Sequence, residues 1–94
     1  MKVVFSEDAA QDVVRLRLFL EPVAPGASKK AVSTILEGCQ SLVKFPEKGS
    51  LRKDESQQLV IKFGASAYLA RYKINAEKNE VVVLRVRHGR EADL

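Results

Sequence analysis

The segment 81–90 (VVVLRVRHGR) constrains the fold more than any other part of the chain. Its three consecutive valines are typical of a strand buried on at least one face, because β-branched side chains pack well on a pleated surface. From Leu84 onward apolar and basic residues alternate, and a period of two places Arg85 and Arg87 on the face opposite His88. We therefore predict a central strand that leads from the core to a charged surface, and we expect function at its end.

The length of 94 residues predicts one domain, spanning 1–94, because a chain of this size buries a single core. A hydrophobic fraction of 46% with 30% charged residues is typical of a globular protein. No apolar run approaches the roughly 20 residues that a membrane span needs. The first residues lack the pattern of a signal peptide, so we expect a cytoplasmic protein.

The single cysteine and single histidine make a zinc site implausible, so neither a metal ion nor a cofactor is expected. Cys39 falls in phase with the apolar positions of a predicted helix, and we interpret it as a small core residue. Nothing in the sequence indicates a small-molecule ligand either.

The net charge of +4 is unevenly distributed. Residues 1–43 carry five Lys or Arg against five Asp or Glu, whereas residues 44–94 carry eleven against seven. An acidic partner for the second half is one interpretation. A basic surface without a dedicated ligand is the other, and charge alone does not decide between them.

The first half of the chain predicts a short strand and two helices. Residues 3–5 are β-like, and Ser6 is a good N-cap for a helix that ends before Pro22. The inward stripe of this first helix is expected to include Phe19, while Asp12 is assigned to the outside. Its apolar members are Ala9, Val13, Leu16 and Leu20.

The segment 22–26 contains two prolines, and Pro25 is a candidate first-turn residue for a second helix that closes at Pro46. Its apolar positions recur every three or four residues and are Val32, Ile35, Leu36, Cys39, Leu42 and Val43. Gly38 inside this helix either permits close approach of a neighbouring element or is simply tolerated. Residues 47–58 are polar and are interpreted as a mobile loop.

Three strands in an antiparallel meander are predicted from residue 59 onward, separated by turns at 64–66 and 75–79. The phase that buries most apolar surface faces the helices with Leu59, Ile61, Phe63, Tyr68, Ala70, Tyr72, Ile74, Val82, Leu84 and Val86. The opposite face then carries Lys62, Arg71, Lys73, Arg85 and Arg87. The expected fold is α+β with the order β-α-α-β-β-β and both helices on one face of the sheet.

Four stretches in this order resemble the RelE/ParE family of bacterial toxins from type II toxin–antitoxin systems. They are VVFSEDA at 3–9, SLVKFPEKG at 41–49, the strand with Tyr68, Arg71 and Tyr72, and VLRVRHGRE at 83–91. The resemblance spans nearly the whole chain and rests on the order of these stretches. It implies a small cytoplasmic toxin that an extended segment of a co-expressed antitoxin neutralises. Members of the family either cleave messenger RNA on the ribosome or poison DNA gyrase.

The resemblance also allows the two activities to be weighed. RelE-like nucleases place two lysines two residues apart on the second strand, an arginine on the third, and an arginine followed by an aromatic residue near the C-terminus. The corresponding positions here are Val60 and Lys62, then Leu69, then Arg90, with no aromatic residue between Arg90 and Leu94. Only Lys62 and Arg90 keep the nuclease pattern, which favours the ParE branch.

We therefore predict a ParE-like toxin that inhibits DNA gyrase by binding and trapping its DNA-cleavage complex, without itself acting as an enzyme. The target-binding residues are expected to be Arg87, His88 and Arg90. The antitoxin-binding residues are expected to be Arg71, Arg85 and Arg87, since a cationic sheet face suits an acidic segment.

Two alternatives remain open. One is a ribosome-dependent mRNA interferase whose catalytic group is Lys62, Arg71, His88 and Arg90. In that case His88 with Glu91 or Arg71 would supply an acid/base pair, although a histidine at a strand end is more often structural. The other is a non-toxic basic module that binds nucleic acid through phosphate contacts and whose affinity falls steeply with salt.

Overall fold

A computed structural model describes residues 1–91 and has two layers, a five-stranded sheet and a helical hairpin. The elements in chain order are β1 (Lys2–Phe5), α1 (Glu7–Leu20), α2 (Pro25–Gln40), a 3₁₀ turn (Ser41–Val43), β2 (Ser50–Leu51), β3 (Gln57–Phe63), β4 (Ser66–Asn75) and β5 (Glu80–His88). Within the described residues no helix is both long enough and apolar enough to cross a membrane.

The sheet has the strand order β1-β5-β4-β3-β2, so β5 lies in its interior as predicted. The strands from β2 to β5 pair antiparallel, whereas β1 pairs parallel with the first half of β5. The connection between these parallel strands contains the helical hairpin and the strands β2, β3 and β4, so it is much longer than the minimum of about a dozen residues that a parallel pair requires. The predicted α+β class and element order are confirmed, with one short strand added.

That added strand lies inside the segment predicted to be a loop. Ser50 and Leu51 pair with Gln58 and Gln57. A tight turn joins the two strands. In this turn one carboxylate oxygen of Asp54 accepts hydrogen bonds from the amide and the hydroxyl of Ser56, at 3.0 and 2.5 Å. The prediction of an irregular loop was therefore wrong for these strand residues, because short polar side chains here stabilise a hairpin.

The first helix begins and ends where the sequence predicted. The hydroxyl of Ser6 accepts a hydrogen bond from the amide of Ala9 at 3.1 Å, which is the expected N-cap. Two assignments of sides were wrong, however. Asp12 is buried, with 4% exposure, whereas Phe19 is 79% exposed. An acidic side chain therefore joins the buried side of α1, and the aromatic side chain of Phe19 is left outside the core.

The second helix has Pro25 in its first turn as predicted, but its α-helical part ends at Gln40 and a 3₁₀ turn follows before Pro46. Leu36, predicted to face the core, is exposed. Cys39 is fully buried as predicted, and burial raises the pKa of its thiol to about 12. The thiol therefore stays protonated and unreactive at neutral pH.

A β-bulge in β5 changes which of its residues reach the core. Tyr72 lies opposite Val83 and Arg71 lies opposite Arg85, so Leu84 is the extra residue of the bulge. One extra residue reverses the alternation. The buried residues are consequently Val81, Val83 and Val86. The prediction was right for Val86 and wrong for Val82 and Leu84, while the inward residues of β3 and β4 are buried or partly buried as predicted.

Gly38 permits the close approach of α2 to β3. A methyl group at this position would lie 2.8 Å from Cδ1 and Cγ1 of Ile61, which is too close for an unstrained contact. We expect Gly38→Ala to lower the free energy of unfolding by about 1 kcal/mol, because overpacking outweighs the gain in helix propensity.

The matched control is Gly26→Ala in the same helix, where no atom lies within 4 Å of the added methyl group. It should leave stability unchanged or raise it by about 0.5 kcal/mol. Urea denaturation measures both, and equal effects of the two substitutions would contradict the close-approach interpretation. Adding Ile61→Val to Gly38→Ala removes one of the clashing atoms and should recover part of the loss.

Candidate functional site

The face of the sheet that points away from the helices carries most of the residues predicted to be functional. We call it the outer face. It is formed on β3 by Gln58, Val60 and Lys62, on β4 by Ala67, Leu69, Arg71 and Lys73, and on β5 by Val82, Arg85 and Arg87. Their side chains share one face because alternate residues of a strand point the same way, and paired residues of neighbouring strands share a side.

Strand register arranges the outer face in rows, three of which begin on β3, while a further row pairs Lys73 with Val82. Across β3, β4 and β5 the first row is Gln58, Arg71 and Arg85, and the second is Val60, Leu69 and Arg87. The third is Lys62 and Ala67, continued by Gly89, whose amide donates to the Ala67 carbonyl at 2.8 Å. The middle row is the apolar part of this face, and cations lie on either side of it.

Two arginines of β5 are held by neighbouring groups of the protein. Arg85 donates to the Asp12 carboxylate from Nε at 2.8 Å and from Nη2 at 3.0 Å. Arg87 donates from Nη1 to the carbonyl of Glu91 at 3.0 Å. Arg71 sits directly opposite Arg85, and such like-charged pairs are unfavourable unless an anion offsets them. The Asp12 carboxylate offsets the charge of Arg85, and the Asp54 carboxylate interacts electrostatically with Arg71.

Helix α1 completes the edge of β5 where β1 has ended. Pairing with β1 stops at Val83, and the Ser6 amide and hydroxyl then donate to the carbonyls of Val83 and Leu84, each at 2.9 Å. Farther along, the Val86 amide donates to Asp12 at 2.9 Å. These groups take the place of a neighbouring strand, so Ser6 and Asp12 satisfy the backbone that leads to the charged end.

The ionisation of Asp12 follows from these contacts. Burial by itself would raise the pKa of the carboxyl, but hydrogen bonds from Arg85 and from the Val86 amide, together with the charge of Arg85, lower it below its usual value. Arg15 adds a weaker hydrogen bond at 3.4 Å. Asp12 is therefore an anion at neutral pH and fixes the position of Arg85.

The turn after β5 is fixed by Glu91. Its carboxylate accepts from the backbone amide of His88 at 2.7 Å and forms an ion pair with Arg15 of α1. The His88 ring packs edge-on against Tyr68, with centroids 5.4 Å apart, and its Nδ1 accepts from the Arg90 amide at 3.2 Å. The end of the strand is thus an ordered turn tied to the first helix.

The three predicted target-binding residues do not share a face. Arg87 lies on the outer face, His88 lies opposite Tyr68 on the helix side, and Arg90 is exposed in the turn. Their role in binding a target stays a prediction. The same holds for Arg71, Arg85 and Arg87 as antitoxin contacts, although Asp12 already engages the guanidinium of Arg85.

The alternative catalytic group is only partly assembled. Lys62, His88 and Arg90 line one shallow cleft of about 470 Å³, but Arg71 does not line it. The sequence also offered Glu91 as the acid/base partner of His88. In the structure the Glu91 carboxylate binds the backbone amide of His88 and the side chain of Arg15, so no pairing of that carboxylate with the imidazole is present.

A second, apolar groove lies between the end of α1 and the sheet, with a volume of about 680 Å³. Its apolar lining is Leu16, Phe19, Leu20, Phe63 and Tyr68. Phe19 lines this groove and stays exposed there, outside the core. The sequence analysis missed this groove because it assigned Phe19 to the buried stripe. Among residues 1–91 no group of three His, Cys, Asp or Glu side chains could hold a metal ion.

Comparisons with known proteins agree with this architecture. Residues 3–93 match the family described as ParE toxin of type II toxin–antitoxin system, parDE. Toxin RelE3 of Caulobacter vibrioides is 30% identical over 83 residues, which cover 88% of each chain.

Two solved structures share the fold. The chromosomal ParDE system from P. aeruginosa superposes with a TM-score of 0.76 at 21% identity, covering 94% of this chain and 95% of that one. The RelBE2 toxin–antitoxin complex from Mycobacterium tuberculosis gives 0.63 at 24% identity, covering 93% and 95%. The family match spans almost the whole chain and confirms the resemblance seen in the sequence, so this protein belongs to the ParE toxin family of type II toxin–antitoxin systems.

Proposed function

We propose that this toxin binds DNA gyrase stoichiometrically and traps the gyrase complex that holds cleaved DNA, while breaking no bond itself. The observation that carries this proposal is the middle row of the outer face. Val60 and Leu69 stand at positions that resemble those of a lysine and an arginine in RelE-like nucleases, and they are paired neighbours on β3 and β4.

Chemistry argues against RNA cleavage by this face. Attack by a 2′-hydroxyl needs a base for the hydroxyl, cations for the developing charge on phosphorus, and an acid for the leaving oxygen. Aliphatic side chains supply none of these. Lys62 remains as a cation, but the single histidine of the chain, His88, packs against Tyr68 and accepts a hydrogen bond from the Arg90 amide.

An antitoxin is part of the same proposal. A segment with apolar side chains fits the groove at the end of α1, which is lined by Leu16, Phe19 and Phe63. Carboxylates of that segment would approach Arg71 and Arg87 on the outer face, where charge chiefly accelerates encounter and fixes register. Co-purification with the product of a neighbouring small gene is the direct check on this partner.

The interferase remains the second candidate because two observations favour it. The relative Toxin RelE3 carries the name of the nuclease branch. In addition, Lys62, His88 and Arg90 line a single cleft that could hold a phosphate. A test must therefore measure both activities with the same preparation of toxin.

Purified toxin is added separately to gyrase supercoiling reactions and to ribosomes programmed with messenger RNA. We expect supercoiling to stop near one toxin per gyrase, and the message to stay intact at a large excess of toxin. His88→Ala should change inhibition by less than about tenfold, whereas loss of a general acid or base costs a factor of about 10² to 10⁴.

Cleavage of message at the ribosomal A site, with supercoiling untouched, would replace the gyrase proposal by the interferase. Robust growth of a host that expresses the toxin without any partner, together with nucleic-acid binding that weakens steeply with salt, would favour a non-toxic basic module instead.

A further inference from the structure

We propose that Val60 and Leu69 form the apolar centre of a protein-docking surface on the outer face. Its occupant is an acidic segment of the toxin's target that places an apolar side chain on this pair and carboxylates around it. The proposal rests on the proposed function, since the docking surface specifies where a stoichiometric inhibitor would bind its target.

Register gives the surface its centre. Val60 on β3 pairs with Leu69 on β4, which in turn pairs with Arg87 on β5. Adjacent strands lie about 4.8 Å apart, so the three side chains span roughly 10 Å. Val60 is 55% exposed and points away from the helices, so the core does not require an aliphatic residue there. Contact with a partner would remove this branched aliphatic side chain, in the middle of a cationic face, from water.

The surrounding charges define the chemistry of that partner. Lys62 and Lys73 on the outer face are exposed, and so is Arg90 in the turn beside it. Protein interfaces commonly have an uncharged centre that a polar rim shields from water. Here the rim is cationic, so the complementary segment carries carboxylates around an apolar residue.

The outer face is poorly suited to single-stranded nucleic acid. Such strands bind through bases stacked on aromatic side chains, in addition to phosphate contacts. The aromatic residues of β3 and β4 are Phe63, Tyr68 and Tyr72, and the alternation of the strands places them on the helix side. The described part of the outer face therefore offers cations and aliphatic groups but no aromatic ring.

The test compares two identical substitutions at exposed valines in the full chain. Val60→Ser removes the proposed centre, and Val23→Ser changes an 81% exposed valine in the link between the helices. We expect Val60→Ser to raise the toxin concentration for half-inhibition of gyrase about tenfold and Val23→Ser to leave it unchanged. Circular dichroism and urea denaturation confirm that both variants fold as the parent does.

Growth arrest on expression in a bacterial host distinguishes failure of the docking-surface proposal from failure of the gyrase proposal. If the parent toxin arrests growth but leaves gyrase untouched, the gyrase proposal fails, while the docking surface still requires Val60→Ser to arrest growth less than Val23→Ser. Equal arrest by the two variants overturns the docking surface. So does a result in which Lys62→Glu abolishes arrest while Val60→Ser arrests growth as strongly as the parent, because a phosphate-binding face would behave in that way. A parent toxin that arrests no growth overturns both proposals.

Discussion

Replacing Asp12 with alanine is expected to lower the free energy of unfolding by about 3 kcal/mol, because a buried amide and a partly buried guanidinium lose their shared carboxylate. A domain of this size has a total stability of only about 5–14 kcal/mol, so the loss is large. Urea denaturation followed by circular dichroism measures it. Asp12→Asn, which keeps one acceptor oxygen, should cost less than the alanine variant.

The control for this substitution is Asp8→Ala, which removes an exposed carboxylate from the first turn of the same helix. Its cost should stay near 0.5 kcal/mol, roughly the value of a helix-dipole interaction at the surface. Similar losses for the two alanine variants would show that the Asp12 contacts add nothing beyond surface charge.

The contribution of Asp12 should also depend on pH. Its pKa is lowered in the folded protein, whereas an unfolded aspartate has a pKa of about 3.9. The carboxylate therefore stabilises the fold fully above that value, and the stabilisation disappears as the pH falls through the folded-state pKa. The gap in stability between the parent and Asp12→Asn should narrow below about pH 4. A gap that is constant from pH 7 to pH 3 would exclude the ionised carboxylate as its cause.

Asp12 also shows where periodicity fails as a guide to the fold. Spacings of three and four placed Ala9 and Leu16 correctly on the inner side of α1, and Asp12 lies on the same side of the helix. Hydrophobicity excluded an acidic residue from that stripe. A carboxylate can be buried there because the unpaired edge of β5 offers it an amide and a guanidinium, and this edge exists only in the tertiary structure.

The bulge at Leu84 is the second such case. The sequence correctly predicted a buried strand, and the faces of β3 and β4 followed from alternation alone. On β5 the same rule failed before Arg85, because the extra residue reverses the phase for Val82 and Leu84. Nothing in a run of aliphatic residues distinguishes a bulge from a regular strand, since either phase buries valine equally well.

The candidate site was predicted in its composition more than in its geometry. Period two placed Lys62, Arg71 and Arg87 on one face, and register confirms that arrangement. The turn after the strand could not be predicted, because a glycine only permits a turn and does not choose its direction. The ion pair between Arg15 and Glu91 fixes the direction of this turn, and that pair joins residues 76 positions apart.

The largest effect on activity is expected from reversing two cations beside the apolar pair. If the toxin docks on gyrase as proposed, Lys62→Glu combined with Arg90→Glu should raise the toxin concentration for half-inhibition of gyrase about 100-fold or more, because the proposed acidic partner then meets like charge at close range. Both side chains are exposed, so folding should be unaffected. The supercoiling assay measures the effect, with circular dichroism as the check on folding.

The matched control reverses Lys29 and Lys30 on α2, which are also exposed. Either double variant lowers the formal net charge of +4 to zero, so a difference between them reports the position of the charges and not their sum. We expect the α2 variant to stay within about threefold of the parent toxin, because charges farther away than the Debye length of about 8 Å are largely screened at physiological salt. If both variants lose activity equally, long-range attraction of the whole molecule drives binding, and the outer face has no special part in it.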